Sequence, residues 1–215
     1  ELFYKLKEKH GETKFVGYET LVTKAKLLAK ESVGEYTALV FDQTPFYGES
    51  GGQAADMGLV LEEGSEVCQI EDTQKPVDEL WAHYTKSADK LVVGKIYTLQ
   101  VNSHNRELTM KNHSATHLLQ AALIKVLGSH IKQAGSFVNA DKLRFDFTHP
   151  QALSAEQVEK VEKMVNEQIA HALPVVPEYM PKDEATKRGA MALFGEKYGD
   201  EVRVLCMGDF SIELC

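Results

Sequence analysis

The sequence predicts an α+β protein in two parts. A small β-barrel-like domain is expected over residues 1–101, followed over residues 102–215 by an α/β core of antiparallel sheet with helices. Through the first hundred residues, short runs rich in Val, Tyr, Phe and Thr are punctuated by glycine- and proline-bearing turns, a spacing suited to a barrel or sandwich. Near Asn102 the pattern changes to apolar residues at i, i+3, i+4, i+7, i+8 and i+11, which is a helix with one buried stripe. Beyond it, alternating segments and a second amphipathic helix set helices against a sheet.

In the first domain, strands are expected at Phe15–Val22, Ala38–Asp42, Gly58–Leu61, Glu66–Ile70, Leu80–Tyr84 and Lys95–Val101. Between them lie Glu63-Gly64-Ser65, Lys75-Pro76 and the cluster Gly48-Glu49-Ser50-Gly51-Gly52. Leu21–Ala29 reads as a short helix weakened by Thr23. In the second domain, Ala115, Leu118, Leu119, Ala122, Leu123 and Val126 form the stripe of a helix over His113–Leu127, with Gly128 suited to end it. Phe137-Val138 and the alternating Leu143-Arg144-Phe145-Asp146-Phe147 read as strands. Ser154 with Gln157 makes a capping box, opening a helix on which Val158, Val161, Val165 and Ile169 share a face before Pro174 stops it. Val175–Tyr179, Val202–Met207 and Phe210–Leu214 are further strands, with a short helical stretch at Asp183–Arg188.

Composition narrows the function. Hydrophobic residues are 43% and charged residues 26% of the 215, which excludes disordered and collagen-like chains. No apolar run approaches the roughly 18 to 20 residues that span a bilayer, so no membrane association is expected, and no secretory signal opens the chain. The first residue is Glu1 and not Met, which suggests a piece of something longer. Three cysteines, Cys68, Cys206 and Cys215, are too scattered for a disulfide framework and favour a reducing cytoplasm. The net charge of −8, from 24 basic and 32 acidic residues, excludes a broad phosphate-gripping surface. Contact with nucleic acid must be local, or must lean on other parts of a larger protein.

His113-Ser114-Ala115-Thr116-His117 carries the most chemistry. Residues four apart on a helix stand one above the other, so both imidazoles can reach one metal ion, and zinc is the expected ion when a thiolate joins them. Paired histidines also occur on ordinary solvated faces. At about 100° per residue these two point roughly 140° to 180° from the centre of the apolar stripe, which argues against core histidines. Gln120 and Ile124 share their face, a mixture that fits a cleft wall. Any of the three cysteines can supply the thiolate on composition alone, although Cys68 and Cys206 sit in runs that read as core strand.

His113 to Leu119, taken with Ser211-Ile212-Glu213-Leu214-Cys215, resembles the editing domain of alanyl-tRNA synthetase and the free-standing alanyl-tRNA editing proteins. Phe46-Tyr47-Gly48-Glu49-Ser50-Gly51-Gly52-Gln53, with Asp56 and Gly58, resembles the family's glycine-rich motif. Gly189-Ala190-Met191-Ala192-Leu193-Phe194-Gly195-Glu196-Lys197-Tyr198 resembles the stretch that precedes its cysteine. The resemblance covers nearly the whole chain and favours the full-length synthetase over the short proteins. It implies one zinc ion held by His113, His117 and Cys215. The family's fourth ligand, a histidine four residues past the cysteine, falls beyond the end of this sequence.

The implied activity is hydrolysis of the ester in mischarged Ser-tRNA(Ala) and Gly-tRNA(Ala), with the 3′ aminoacyl end of tRNA(Ala) and the remaining synthetase domains as partners. A pocket for alanine excludes glycine and serine by only about 1 to 3 kcal/mol, so a second hydrolytic sieve is needed. The resemblance favours Thr116 as the group that recognises the serine hydroxyl and Gln133 as a pocket residue orienting water or substrate. Thr116 otherwise reads as a helix threonine bonded back to a carbonyl, and Gln133 as a surface glutamine. Gly51, Gly52 and Gln53 read either as backbone donors to the tRNA end or as a tight turn. Lys111, Lys132, Lys142 and Arg144 read as a basic rim or a solvated face. A generic zinc hydrolase lacks support, since Ser114 stands where H-E-x-x-H needs its glutamate. A non-catalytic tRNA-binding module and a structural zinc domain are the alternatives.

Overall fold

A computed structural model describes residues 1–190 and 199–214. The chain divides into two compact units, Glu1–Leu108 and Thr109–Cys215.

The first unit begins with helix α1 (Leu2–His10). Strands β1 (Lys14–Phe15), β2 (Val22–Val33), β3 (Tyr36–Phe41), β4 (Gln43–Thr44), β5 (Gly58–Glu62), β6 (Ser65–Ile70), β7 (Asp72–Val77), β8 (Leu80–Thr85) and β9 (Ile96–Val101) follow. Seven of them form one antiparallel sheet in the order β6-β5-β9-β2-β3-β8-β7, and β1 pairs with β4 in a separate parallel ribbon. The sheet is strongly curled but is not a closed barrel, which corrects the barrel-like expectation. Its end strands β6 and β7 are consecutive in the chain, separated only by Glu71, whose N–H donates to the Tyr84 carbonyl. The inner face holds Leu27, Leu39, Phe41, Phe46, Val60, Cys68, Ile70, Tyr97 and Leu99.

Two expected elements are corrected here. Leu21–Ala29 is strand, not helix. Lys24 and Lys26 are exposed while Ala25, Leu27 and Ala29 are buried, a period of two that appears because β9 and β3 flank this strand and override its helix-forming residues. Phe15–Val22 is strand only at its two ends and turns at Gly17–Glu19, where Gly17 lies so close to the Pro45 carbonyl that a Cβ there would collide with it. Helix α1 carries a weaker signal: Leu6 is its one buried residue, packed with Ala29, Val40 and Leu80.

Helix α2 (Ser103–Leu127) starts ten residues before the expected His113, and the division between the units falls within it. The Asn102 side chain accepts from the Asn105 N–H and caps the helix, a role that propensity alone does not reveal. Then come β10 (Gln133–Val138), β11 (Leu143–Phe147), α3 (Ala155–His171), β12 (Val176–Pro181), α4 (Lys182–Lys187), β13 (Glu201–Met207) and β14 (Ser211–Leu214). Strands β10 and β11 form a hairpin, and β12-β13-β14 a separate antiparallel sheet. The Ser154–Gln157 capping box is present at α3. Ala122, Leu123, Ile131 and Val161 centre one core; Met180, Ala185, Val202, Val204 and Leu214 centre another. Among the described residues no helix is long and apolar enough to cross a membrane.

Candidate functional site

The two histidines converge. His113 and His117 stand one turn apart on α2, with ring centroids 4.9 Å apart and planes 18° from parallel. His113 is half-buried. His117 is buried at 2% exposure, more closely covered than a cleft wall alone requires. The rest of the histidine face of α2, expected to be a cleft wall, is covered too: Thr116 and Gln120 are also buried, opposite the apolar stripe of Leu118, Ala122 and Leu123. The residue that meets His117 is Glu213 of β14, whose Oε2 hydrogen-bonds the His117 Nδ1.

Glu213 is fully buried, and its second oxygen accepts from the Ser211 hydroxyl at 3.1 Å. Sequence reasoning passed over it as part of a longer motif. Its signal lies in the alternation of Ser211 and Glu213 with Ile212 and Leu214, which sets two polar residues on one face of a strand. The contact brings β14, the strand that leads to Cys215, against the histidine helix. Cys215 itself lies outside the described residues, as do Met191–Tyr198 of the stretch before it.

Thr116 donates its hydroxyl to the Asn112 carbonyl at 2.8 Å, the back-bond expected of a helix threonine. Its oxygen still has acceptor capacity. Asn112 also donates from Nδ2 to the Asn139 carbonyl at 2.9 Å, tying the β10–β11 turn to this point of the helix. Gln133 opens β10 opposite Phe147, so it is a strand residue and not a surface-loop glutamine. Its Oε1 is buried with no hydrogen-bond partner among the described residues.

Gly51, Gly52 and Gln53 belong to the first unit. Ser50 and Gln53 exchange backbone hydrogen bonds, and Gly51 and Gly52 take φ of 56° and 82°, the left-handed pair that a two-residue hairpin turn requires. Gln53 is buried. Asp56 secures the motif: its carboxylate accepts from the Tyr47 N–H at 2.7 Å and pairs with buried Arg106 through Nε and Nη2. Arg106 also donates to the carbonyls of Gly17 and Pro45, at 2.8 and 3.0 Å. A Cβ on Gly58 would strike the Gln100 carbonyl oxygen, which explains that glycine.

The other cysteines are poor thiolate donors. Burial pushes the Cys68 thiol up from its ordinary pKa, and it donates to Thr85 Oγ1 at 3.1 Å. Burial, with Glu178 nearby, does the same to Cys206. Among the described residues no group of three or more His, Cys, Asp or Glu is placed to hold a metal ion. The described donors are two stacked imidazoles, one oriented by a carboxylate, and they fit a soft divalent cation that a thiolate would complete. Lys111, Lys132, Lys142 and Arg144 are exposed, and Arg144 pairs with Asp146.

Residues 1–105 match the family model described as tRNA synthetases class II (A). Alanine–tRNA ligase 1 of Lachnoclostridium phytofermentans is 50% identical over 211 residues, covering 94% of this chain and 24% of the relative. The alanine–tRNA ligases of Fervidobacterium nodosum and Pelotomaculum thermopropionicum are each 47% identical, over 95% and 100% of this chain and 25% of their own lengths. The chain thus spans about a quarter of the length of the curated relatives it matches. It belongs to the alanine–tRNA ligase family, as a fragment of such an enzyme.

Proposed function

We propose that this chain is the proofreading part of an alanine–tRNA ligase, hydrolysing the ester of Ser-tRNA(Ala) and Gly-tRNA(Ala) in the cytoplasm. The observation that carries the reading is the stacked pair His113–His117 with the buried Glu213 carboxylate on the His117 Nδ1. That arrangement suits a cation site better than a core contact. His113, His117 and Cys215 would hold one zinc ion. When bound, zinc supplies positive charge that can polarise an ester carbonyl, orient the aminoacyl end or lower the pKa of a water.

The other residues supply recognition. The Thr116 proton is committed to Asn112, so Thr116 can only accept from the serine hydroxyl. Alanine leaves that acceptor unpaired. The unmatched Gln133 Oε1 is an acceptor suited to a substrate ammonium or an attacking water. Gly51, Gly52 and Gln53 would approach the tRNA end through backbone groups, while the acidic balance of the chain leaves wider tRNA contact to the other synthetase domains.

The test is release of labelled amino acid from Ser-, Gly- and Ala-tRNA(Ala) by a ligase carrying this segment. Serine and glycine are expected to be released and alanine retained. His117→Ala should abolish release, and Thr116→Val should cut the serine-over-alanine preference about fivefold, for an acceptor worth ~1 kcal/mol. Undiminished hydrolysis in His117→Ala would refute the reading.

A further inference from the structure

We infer that Glu213 is a positioning residue, whose buried carboxylate holds His117 with its proton on Nδ1 so that Nε2 is the nitrogen presented to a divalent cation. This rests on the zinc reading of the histidine pair and extends it to a residue outside the ligand set. Three observations support it. Glu213 is fully buried, and burying a carboxylate costs several kcal/mol unless its charge is used or compensated. Both of its oxygens are committed, one to Ser211 and one to His117. An ionised carboxylate only accepts, so the His117 Nδ1 must carry the proton, and in a neutral ring this puts the lone pair on Nε2.

The negative charge does more than fix the tautomer. A carboxylate behind an imidazole raises its basicity and strengthens its bond to a metal, whereas a neutral acceptor would be enough if His117 were only packed in place. The same chain holds another buried histidine, His83, with a carbonyl and a hydroxyl. Ser211, itself 3% exposed, keeps the carboxylate aimed.

Glu213→Gln separates these roles, because the amide oxygen can still accept from Nδ1 but carries no charge. Zn²⁺ affinity of the full chain, read by competition with a chromophoric chelator, should weaken about 10- to 100-fold, while the metal-free protein melts close to the parent. Long-range ¹H–¹⁵N NMR of the metal-free parent should show His117 protonated at Nδ1 and bare at Nε2. Glu213→Leu should mix the two tautomers. Zn²⁺ binding in Glu213→Gln within twofold of the parent, or an Nε2 proton on His117 in the parent, would overturn the inference. Should the parent and His117→Ala bind Zn²⁺ equally, the zinc reading itself fails, and the NMR spectrum still decides the tautomer.

Discussion

His83 in the first unit and His117 in the second are both buried, at 0% and 2% exposure, yet they are held in opposite ways. His83 Nδ1 donates to the Leu39 carbonyl at 3.0 Å and Nε2 faces the Thr44 hydroxyl at 2.7 Å, with Phe41 and Phe46 edge-on to its ring. Every partner is neutral, and burial lowers its pKa to about 4. The ring stays uncharged and works as a hydrogen-bonding wedge between strands. His117 meets a carboxylate, stacks on a second imidazole and sits on the strand–helix contact that leads to Cys215. Burial alone therefore does not separate these two histidines; the charge of the partner does.

The contrast can be broken at several strengths. The largest effect is expected at the closed charge pair of the first unit, where both partners are buried and fully bonded. Asp56→Ala leaves Arg106 unpaired and should cost about 3 to 5 kcal/mol in urea unfolding, releasing the glycine-rich turn. A cost under about 1 kcal/mol would mean the pair is a bystander.

Next comes the response of His83 to acid. Its folded pKa lies below the ordinary 6.5, so the unfolded chain takes up the proton first. The stability it contributes is whole above pH 6.5 and is lost as pH falls toward about 4, amounting to about 3 kcal/mol. Unfolding free energy measured through that window should slope downward, and His83→Gln should flatten the slope. An unchanged slope would show that His83 is not the titrating group. The smallest effect is expected behind His117. Ser211→Ala removes a hydrogen bond worth ~1 kcal/mol to the carboxylate and should weaken Zn²⁺ binding about fivefold, less than Glu213→Gln does.

Much of the second unit was legible in the sequence because its signals are local. The Ser154–Gln157 box, the alternation of Leu143 to Phe147 and the i, i+4 histidines each depend on residues within one turn or one strand. Strand β2 was misread because its burial is imposed by the hairpin partner β3 on one side and by β9, far away in sequence, on the other, while its Leu, Ala and Lys content suits a helix. The burial of His117 escaped for the same reason. A helical wheel ranks the faces of α2 but does not show that β14 closes over the second one. Glu213 was visible only as one polar residue in an alternating strand, and its partner lies 96 residues earlier.

The arrangement of β6 and β7 ties the two edges of the first unit's sheet to each other. An open sheet ordinarily leaves two unsatisfied margins, each able to recruit a strand from a neighbouring molecule. Here both margins belong to one continuous run, Ser65–Val77, with only Glu71 between its two strands. Because a single residue joins them, the placement of one margin constrains the placement of the other. Interrupting the chain at Glu71 would remove that constraint and leave each margin to hold its register alone.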